Sequence, residues 1–420
     1  MSVDSTEPTE STDGTSEPST VKDARKKPGG GMLIAALSFA MATGATGTYA
    51  LGALSPFLVE AFSLSAGGVG LLMGVIYLTA ASSSGIIGRR ADRVNPARII
   101  YAGAVCSFLA AIAFAAAPNV IVLGIFAVLA GLAMAASNPG SNGMIARRLP
   151  PGSRAYATGI KQSGATGTGL YIAAVVPTLA VILGWRLAAL ATLIIPILAI
   201  VTILWSKRSS GAELQLEALP KPAARIGKLR WLTWLSRYAL LFGIATGICN
   251  GFYVLYSSEV LGFGAVKAGL VFAVFSLASV VARVVWARLA ERGIDTGLLF
   301  LVIGVIGVAS ALLAFGAPYV GPWAMWLAAT FGGTSIVGWN ALAMVTIMQQ
   351  VPVNAVGASS ARMLRSFFIG LTVGPVAFGL IVELLGYGVG WLLQFLTLAL
   401  ATSAAVFLAR ALRADPVGDK

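Results

Sequence analysis

"GRRADR", residues 88–93, closes a long apolar run, and "ARLAER", residues 287–292, closes another. Arg89, Asp92 and Arg93 fall on Arg288, Glu291 and Arg292 at one constant offset of 199 residues. At the same offset Glu60 meets Glu259, Gly70 meets Gly269 and Leu71 meets Leu270. Further on, Gly159 pairs with Gly357 and Pro177 with Pro375 at a slightly different offset. Chance yields one short likeness more readily than a likeness that recurs along both halves of a chain. Such internal repeats in membrane proteins commonly frame a central solute site, with one half rocking against the other.

Composition sets the solvent of that repeat. Of 420 residues, 57% are hydrophobic and 11% charged, against about 25% charged in a soluble domain. So much apolar surface calls for lipid. Apolar segments run at roughly 32–54, 67–88, 97–117, 120–146, 156–182, 185–206, 235–258, 266–287, 297–317, 321–348, 357–382 and 387–410. Each suffices for the ~20 residues that cross the hydrocarbon core. Helices satisfy their own backbone polar groups in lipid, whereas barrel strands would be shorter and strictly alternating. The expected fold class is all-α integral membrane, with twelve transmembrane helices in two pseudo-symmetric six-helix bundles.

The domain reading follows. Residues 1–30 are polar and rich in Ser, Thr, Glu and Pro, a disordered tail. Residues 31–206 form the first bundle, 207–234 a polar linker with Pro220 and Pro222, 235–412 the second bundle, and 413–420 a short tail. The linker's end, with Lys228, Arg230, Trp231 and Trp234, reads as an amphipathic piece at the membrane interface. With both termini placed inside, only Arg186 and Lys267 of the 29 Lys and Arg fall near the outer side. That asymmetry predicts a multi-pass protein of the inner (plasma) membrane with cytoplasmic termini.

Several classes are disfavoured. Histidine is absent, and Cys106 and Cys249 lie in apolar runs, so neither a metal site nor a Ser-His or Cys-His machinery is expected. No cofactor and no enzyme activity are expected, and no phosphate-binding Gly-x-x-x-x-Gly-Lys-Ser/Thr loop points to ATP-driven transport. The net charge of +13 is spread between spans rather than gathered on one face, which argues against nucleic acid.

At this point the chain resembles the major facilitator superfamily of transporters, over essentially residues 31–412. That family's loop after helix 2 reads roughly Gly-x-Leu-Ala-Asp-Arg-x-Gly-Arg-Arg; here Gly88, Ala91, Asp92, Arg93 and Arg98 fit, with Arg90, Asn95 and Pro96 departing. The second copy keeps Leu289, Ala290 and Arg292 but has Ala287 and Glu291. "NPGSNGMIARRLPPGSRAYATGIKQSG" (138–164) is similar to helices 4 to 5 of bacterial members, and "GWR" (184–186) to their helix 6 start. The resemblance implies a permease working by alternating access, and a cytoplasmic latch made by Gly88, Arg89, Asp92, Arg93, Arg288, Glu291 and Arg292, closed when the site opens outward. The alternative is a basic loop that only sets topology. Asn95-Pro96 also reads as a helix start.

Ionisable residues inside spans are costly and often functional. Lys161 and Arg365 lie in corresponding helices, 5 and 11; Arg362 shares a face with Arg365 and repels it. An anion between the halves would relieve that repulsion; the alternative is snorkelling, which is the expectation for Arg283. Gln162, Asn138, Asn142, Asn250, Tyr253, Trp339 and Asn340 are further candidates for substrate contact, or else interhelical glue. Glu60, Glu259 and Glu383 lie near outer ends, and no acid occupies a span centre. That weakens a proton-symport reading and favours an uncoupled carrier or exchanger of a small organic or inorganic anion. The expected partners are that solute and the bilayer, with the protein monomeric. The alternative is a multidrug or metabolite exporter; "GLTVGPVAFG" (370–379) resembles an exporter signature, but on helix 11 rather than helix 5.

Overall fold

The computed structural model describes residues 30–91, 94–149, 151–208 and 229–414. Among these there are twelve helices long and apolar enough to cross a membrane, and no strand. They are α1 (Gly31–Phe62), α2 (Ala66–Arg90), α3 (Pro96–Ala115), α4 (Val120–Ile145), α5 (Ala157–Leu183) and α6 (Trp185–Ser206). The second set is α7 (Arg230–Glu259), α8 (Ala265–Glu291), α9 (Thr296–Val320), α10 (Trp323–Gln350), α11 (Ala355–Leu385) and α12 (Tyr387–Ala414). The shortest, α3, has 20 residues, about 30 Å at ~1.5 Å per residue, the thickness of the hydrocarbon core.

Local chemistry marks the boundaries. Asn95 caps α3: its side chain accepts the Ala97 N–H at 3.0 Å, and Pro96 takes the first helical position. Asn119 and Asp295 cap α4 and α9 in the same way, from the N–H groups of Val122 and Leu298. Partial burial pushes the Asp295 carboxyl up. The Leu298 N–H and the Arg413 guanidinium outweigh it and hold Asp295 below the usual carboxylate range. Gly184 and Gly386 join α5 to α6 and α11 to α12 at φ 84° and 85°, a region where a Cβ is strained.

Packing repeats as the sequence does. In the first half α1 lies against α5 and α6, and α4 against α2 and α3; in the second, α7 lies against α11 and α12, and α10 against α8 and α9. The halves meet along α2 with α11, α5 with α8, and α1 with α7. Lipid gives helices no hydrophobic reason to associate, so close approach through small residues carries the packing. Large apolar residues such as Ile121, Val181, Leu277, Val281, Leu384 and Leu400 stay exposed on the perimeter.

Two helices are irregular. A 3₁₀ turn, Ala191–Leu193, interrupts α6, and a π turn, Gly333–Val337, interrupts α10. The π turn turns backbone carbonyls outward. Thr334 O accepts the Trp286 indole N–H at 2.9 Å, and Ile336 O accepts the Thr246 hydroxyl at 3.0 Å.

Residues 230–234, expected at the end of the linker, form the first turns of α7. Trp231 is 1% exposed, in the core of the second half instead of at an interface. The terminal tails up to residue 29 and from 415, and linker residues 209–228, lie outside the described residues, as do Asp92 and Arg93.

Candidate substrate site between the halves

The two ends of the molecule differ. At the end away from the termini the halves touch backbone to backbone. A Cβ on Gly70 of α2 would sit 2.3 Å from Pro375 O of α11, and one on Gly269 of α8 would sit 2.6 Å from Ala173 O and 2.7 Å from Pro177 Cγ of α5. Each member of one repeat pair, Gly70 and Gly269, thus meets a member of the other, Pro375 and Pro177. Ala173 O is the carbonyl that Pro177 leaves without its helical donor. Ser65 donates to Glu383 Oε2 across the same end at 2.8 Å. At the end bearing the termini, Gly159 and Gly357, a third repeat pair, have nothing within 4 Å of a Cβ. No close approach between the halves is made at that pair.

A charged contact crosses the seam between α5 and α8 at Arg283. Sequence reading expects it to snorkel, but its guanidinium turns into the seam and donates Nη1 to Thr166 Oγ1 at 2.9 Å and to Gln162 O at 3.3 Å, both on α5. Its Nε is buried without a partner. The reason is its face: Gly269, Ser276 and Arg283 recur every seven residues and all lie against α5, Ser276 Oγ being 3.0 Å from a Cβ on Gly169. The other face carries Leu270, Leu277, Val281, Val284 and Val285 to the perimeter. Snorkelling would need Arg283 on that second face. The seven-residue stripe was the signal in the sequence that could have revealed this.

Near Arg283 stand Tyr49 and Tyr77, which sequence reading did not single out, and Asn250, which it did. Tyr49 of α1 lies within electrostatic range of Arg283 and of Tyr77 of α2. The Tyr49 ring packs 5.7 Å from Phe272 of α8. Asn250 of α7 donates to the Tyr77 hydroxyl at 3.0 Å, while its Oδ1 is buried and unpaired. Phenol, amide and guanidinium from four helices of both halves therefore converge on one seam, with unspent hydrogen-bonding capacity. No described carboxylate pairs with Arg283; among the described residues the one salt bridge is Arg413 to Asp295, at the end of α12.

Lys161 of α5 is 1% exposed. It donates to Ser141 Oγ at 3.0 Å and to Asn142 Oδ1, a buried ammonium held by neutral acceptors alone. Asn142 is exposed, and Asn138 and Gln162 are half-buried. Arg365 is exposed and shares its face of α11 with Thr372 and Val376, the residues that approach Gly74 of α2 further along. Arg362 lies on a different face, with the exposed Ile369 and Val373, and donates to Thr233 Oγ1 of α7 at 3.2 Å.

Two candidates stand apart from the seam. Tyr253 is buried among Phe275, Ser310 and Trp391, its hydroxyl 3.1 Å from Ser310 Oγ. Trp339 packs on Tyr238, Phe242 and Phe367. Asn340 beside it is half-buried. In the charged phrases, Gly88 has open space around it, and Arg89, Arg288, Glu291 and Arg292 are exposed. Glu60, Glu259 and Glu383 are exposed too, Glu259 accepting the Tyr387 hydroxyl at 2.6 Å.

A pair of matching bundles around a polar seam defines a membrane transporter, and this chain belongs to the Major Facilitator Superfamily, whose profile matches residues 33–366. It is similar to the "Probable nitrate/nitrite transporter NarK2" of Mycobacterium tuberculosis strains H37Rv and CDC 1551, at 26% identity over 385 residues, 88% of this chain and 93% of the relative. Among solved structures it is similar to a bacterial homologue of the human lysosomal transporter Spinster. The TM-score is 0.74 to the inward-facing occupied form, at 18% identity over 92% of this chain and 98% of the other. To the inward-facing unoccupied form it is 0.72, at 18% identity over 94% and 100%. These two likenesses concern the fold.

Proposed function

We propose that the protein moves a small anion across the plasma membrane by alternating access, with both termini cytoplasmic and a cleft between the halves open to the cytoplasm. The observation that carries this reading is Arg283: a guanidinium in the seam between the halves, partnered by neutral groups and matched by no described carboxylate. A desolvated guanidinium of this kind favours an anion with planar oxygens. Similarity to a relative described as a nitrate/nitrite transporter supports an inorganic oxyanion of that size. Tyr49 and Tyr77 bring hydroxyl groups to the same seam, and Lys161 and Arg365 add positive potential toward the cytoplasmic end.

The spans hold no central acid and the chain no histidine, which supports uniport or exchange over proton symport. Gly88, Arg89, Asp92, Arg93, Arg288, Glu291 and Arg292 form the latch in the outward-open state. The described members Arg89, Arg288, Glu291 and Arg292 are exposed, which supports a latch that is open in this state.

The test is uptake of labelled nitrate and nitrite into proteoliposomes, with and without a pH gradient. Arg283→Ala is expected to cut uptake by about 10- to 100-fold, the worth of a charge-assisted hydrogen bond, with Arg283→Lys recovering part of it. Full uptake by correctly inserted Arg283→Ala protein would reject the anion site. Uptake that rises steeply with an imposed proton gradient would reject the uncoupled mechanism.

A further inference from the structure

On the perimeter of the second half, toward the end that carries the termini, α7 and α12 enclose a groove of about 350 Å³. Its walls are Leu240 and Leu241 of α7 and Leu400, Ala404 and Phe407 of α12. It continues the exposed apolar face of α12 formed by Val389, Leu392 and Leu396. Its head is built differently. Trp234 and Phe407 stack across the two helices, centroids 4.6 Å apart at 15°. Arg237 lies over the Trp234 ring at 4.4 Å and Arg410 over the Phe407 ring at 5.9 Å. Arg362 of α11 reaches Thr233, one turn before Arg237 on the same side of α7.

Three exposed cations thus stand at one level, above an apolar slot, near the helix ends where headgroups lie. None has a carboxylate partner among the described residues. The neighbouring Arg413 is already paired to Asp295 at 2.9 Å. An acyl chain suits the slot, and an anion suits its head.

We propose that this groove holds an anionic phospholipid, one acyl chain lying between α7 and α12 and the phosphate between Arg237 and Arg410. The lipid binds from the leaflet at the end bearing the termini. It straddles the first and last helices of the second half, a site separate from the substrate seam.

The test is native mass spectrometry of the purified full-length protein, titrated with phosphatidylglycerol, phosphatidylcholine or inorganic phosphate. The wild type is expected to retain one phosphatidylglycerol in preference to phosphatidylcholine and to ignore free phosphate. Replacing both arginines, Arg237→Ala with Arg410→Ala, is expected to weaken phosphatidylglycerol by about 30-fold, from the contribution of each basic residue near an anionic surface, and to leave phosphatidylcholine unchanged. Arg237→Lys with Arg410→Lys is expected to restore most of the preference. Ala404→Trp, which fills the slot and keeps both charges, is expected to weaken both lipids. Equal retention of the two lipids by the wild type, or competition by free phosphate, overturns the proposal. So does phosphatidylglycerol binding that survives the paired alanines or fails with the paired lysines.

Discussion

Arg283 and Lys161 solve one problem in two ways: each is a cation in a low-dielectric setting without an acid to neutralise it. Lys161 is wrapped inside one half, and its acceptors have other options. Ser141 also donates to Ser137 O, and Asn142 is exposed to solvent. Removing the ammonium therefore orphans nothing, and exchanging a buried charge for an apolar group of similar volume is often neutral or stabilising. Lys161→Met is expected to leave the melting temperature in detergent unchanged or raised while anion uptake falls. Unaltered uptake would mean that the ammonium only ties α5 to α4. Lys161 was legible in the sequence because a lysine in a span is conspicuous. Arg283 was equally visible but misplaced, because its distance from the helix end permits snorkelling and only its face forbids it.

At the scale of the element, α2 and α8 are one design used twice with different chemistry. The offset of 199 aligns Gly70, Tyr77 and Ser84 with Gly269, Ser276 and Arg283. Gly70 and Tyr77 on α2, and Gly269, Ser276 and Arg283 on α8, lie along the face turned to the other half. The glycines bring backbones together, and the positions below them carry Tyr77 on one side and Arg283 on the other. Because the glycine contacts are to backbone and to proline rings, a larger side chain has nowhere to go. Gly70→Val and Gly269→Val are each expected to prise the closed end apart and populate the opposite state. Spin labels at positions 65 and 383 should then move farther apart than in the wild type; an unchanged distance distribution would show that the seam yields elsewhere.

At the scale of the whole molecule, the contacts that differ between the two ends define which state the structure represents. A transporter of this design needs both ends to open in turn, and a cross-link at either end removes one state from the equilibrium. Ser65 and Glu383 already touch. Ser65→Cys with Glu383→Cys, in a Cys106→Ser and Cys249→Ser background, is expected to stop uptake under oxidising conditions and regain it on reduction. Uptake that continues while the disulfide is intact would exclude alternating access through this end.

The twelve spans, their division into two sets and the starts of α3 and α4 followed from the sequence by itself. Each rests on short-range physics: backbone groups must be satisfied inside a segment, and caps act within a turn. The repeat, too, was written in the residues, down to the glycines and prolines that proved to be partners. Tertiary structure alone decided which end is closed, that Arg283 faces the seam with Tyr49, Tyr77 and Asn250, and that Tyr253 and Trp339 belong to a core. Those outcomes depend on which helix lies beside which. Lipid supplies no strong hydrophobic contrast to write that neighbour into a helix's own pattern, so it emerges only when small residues across the whole molecule are allowed to meet.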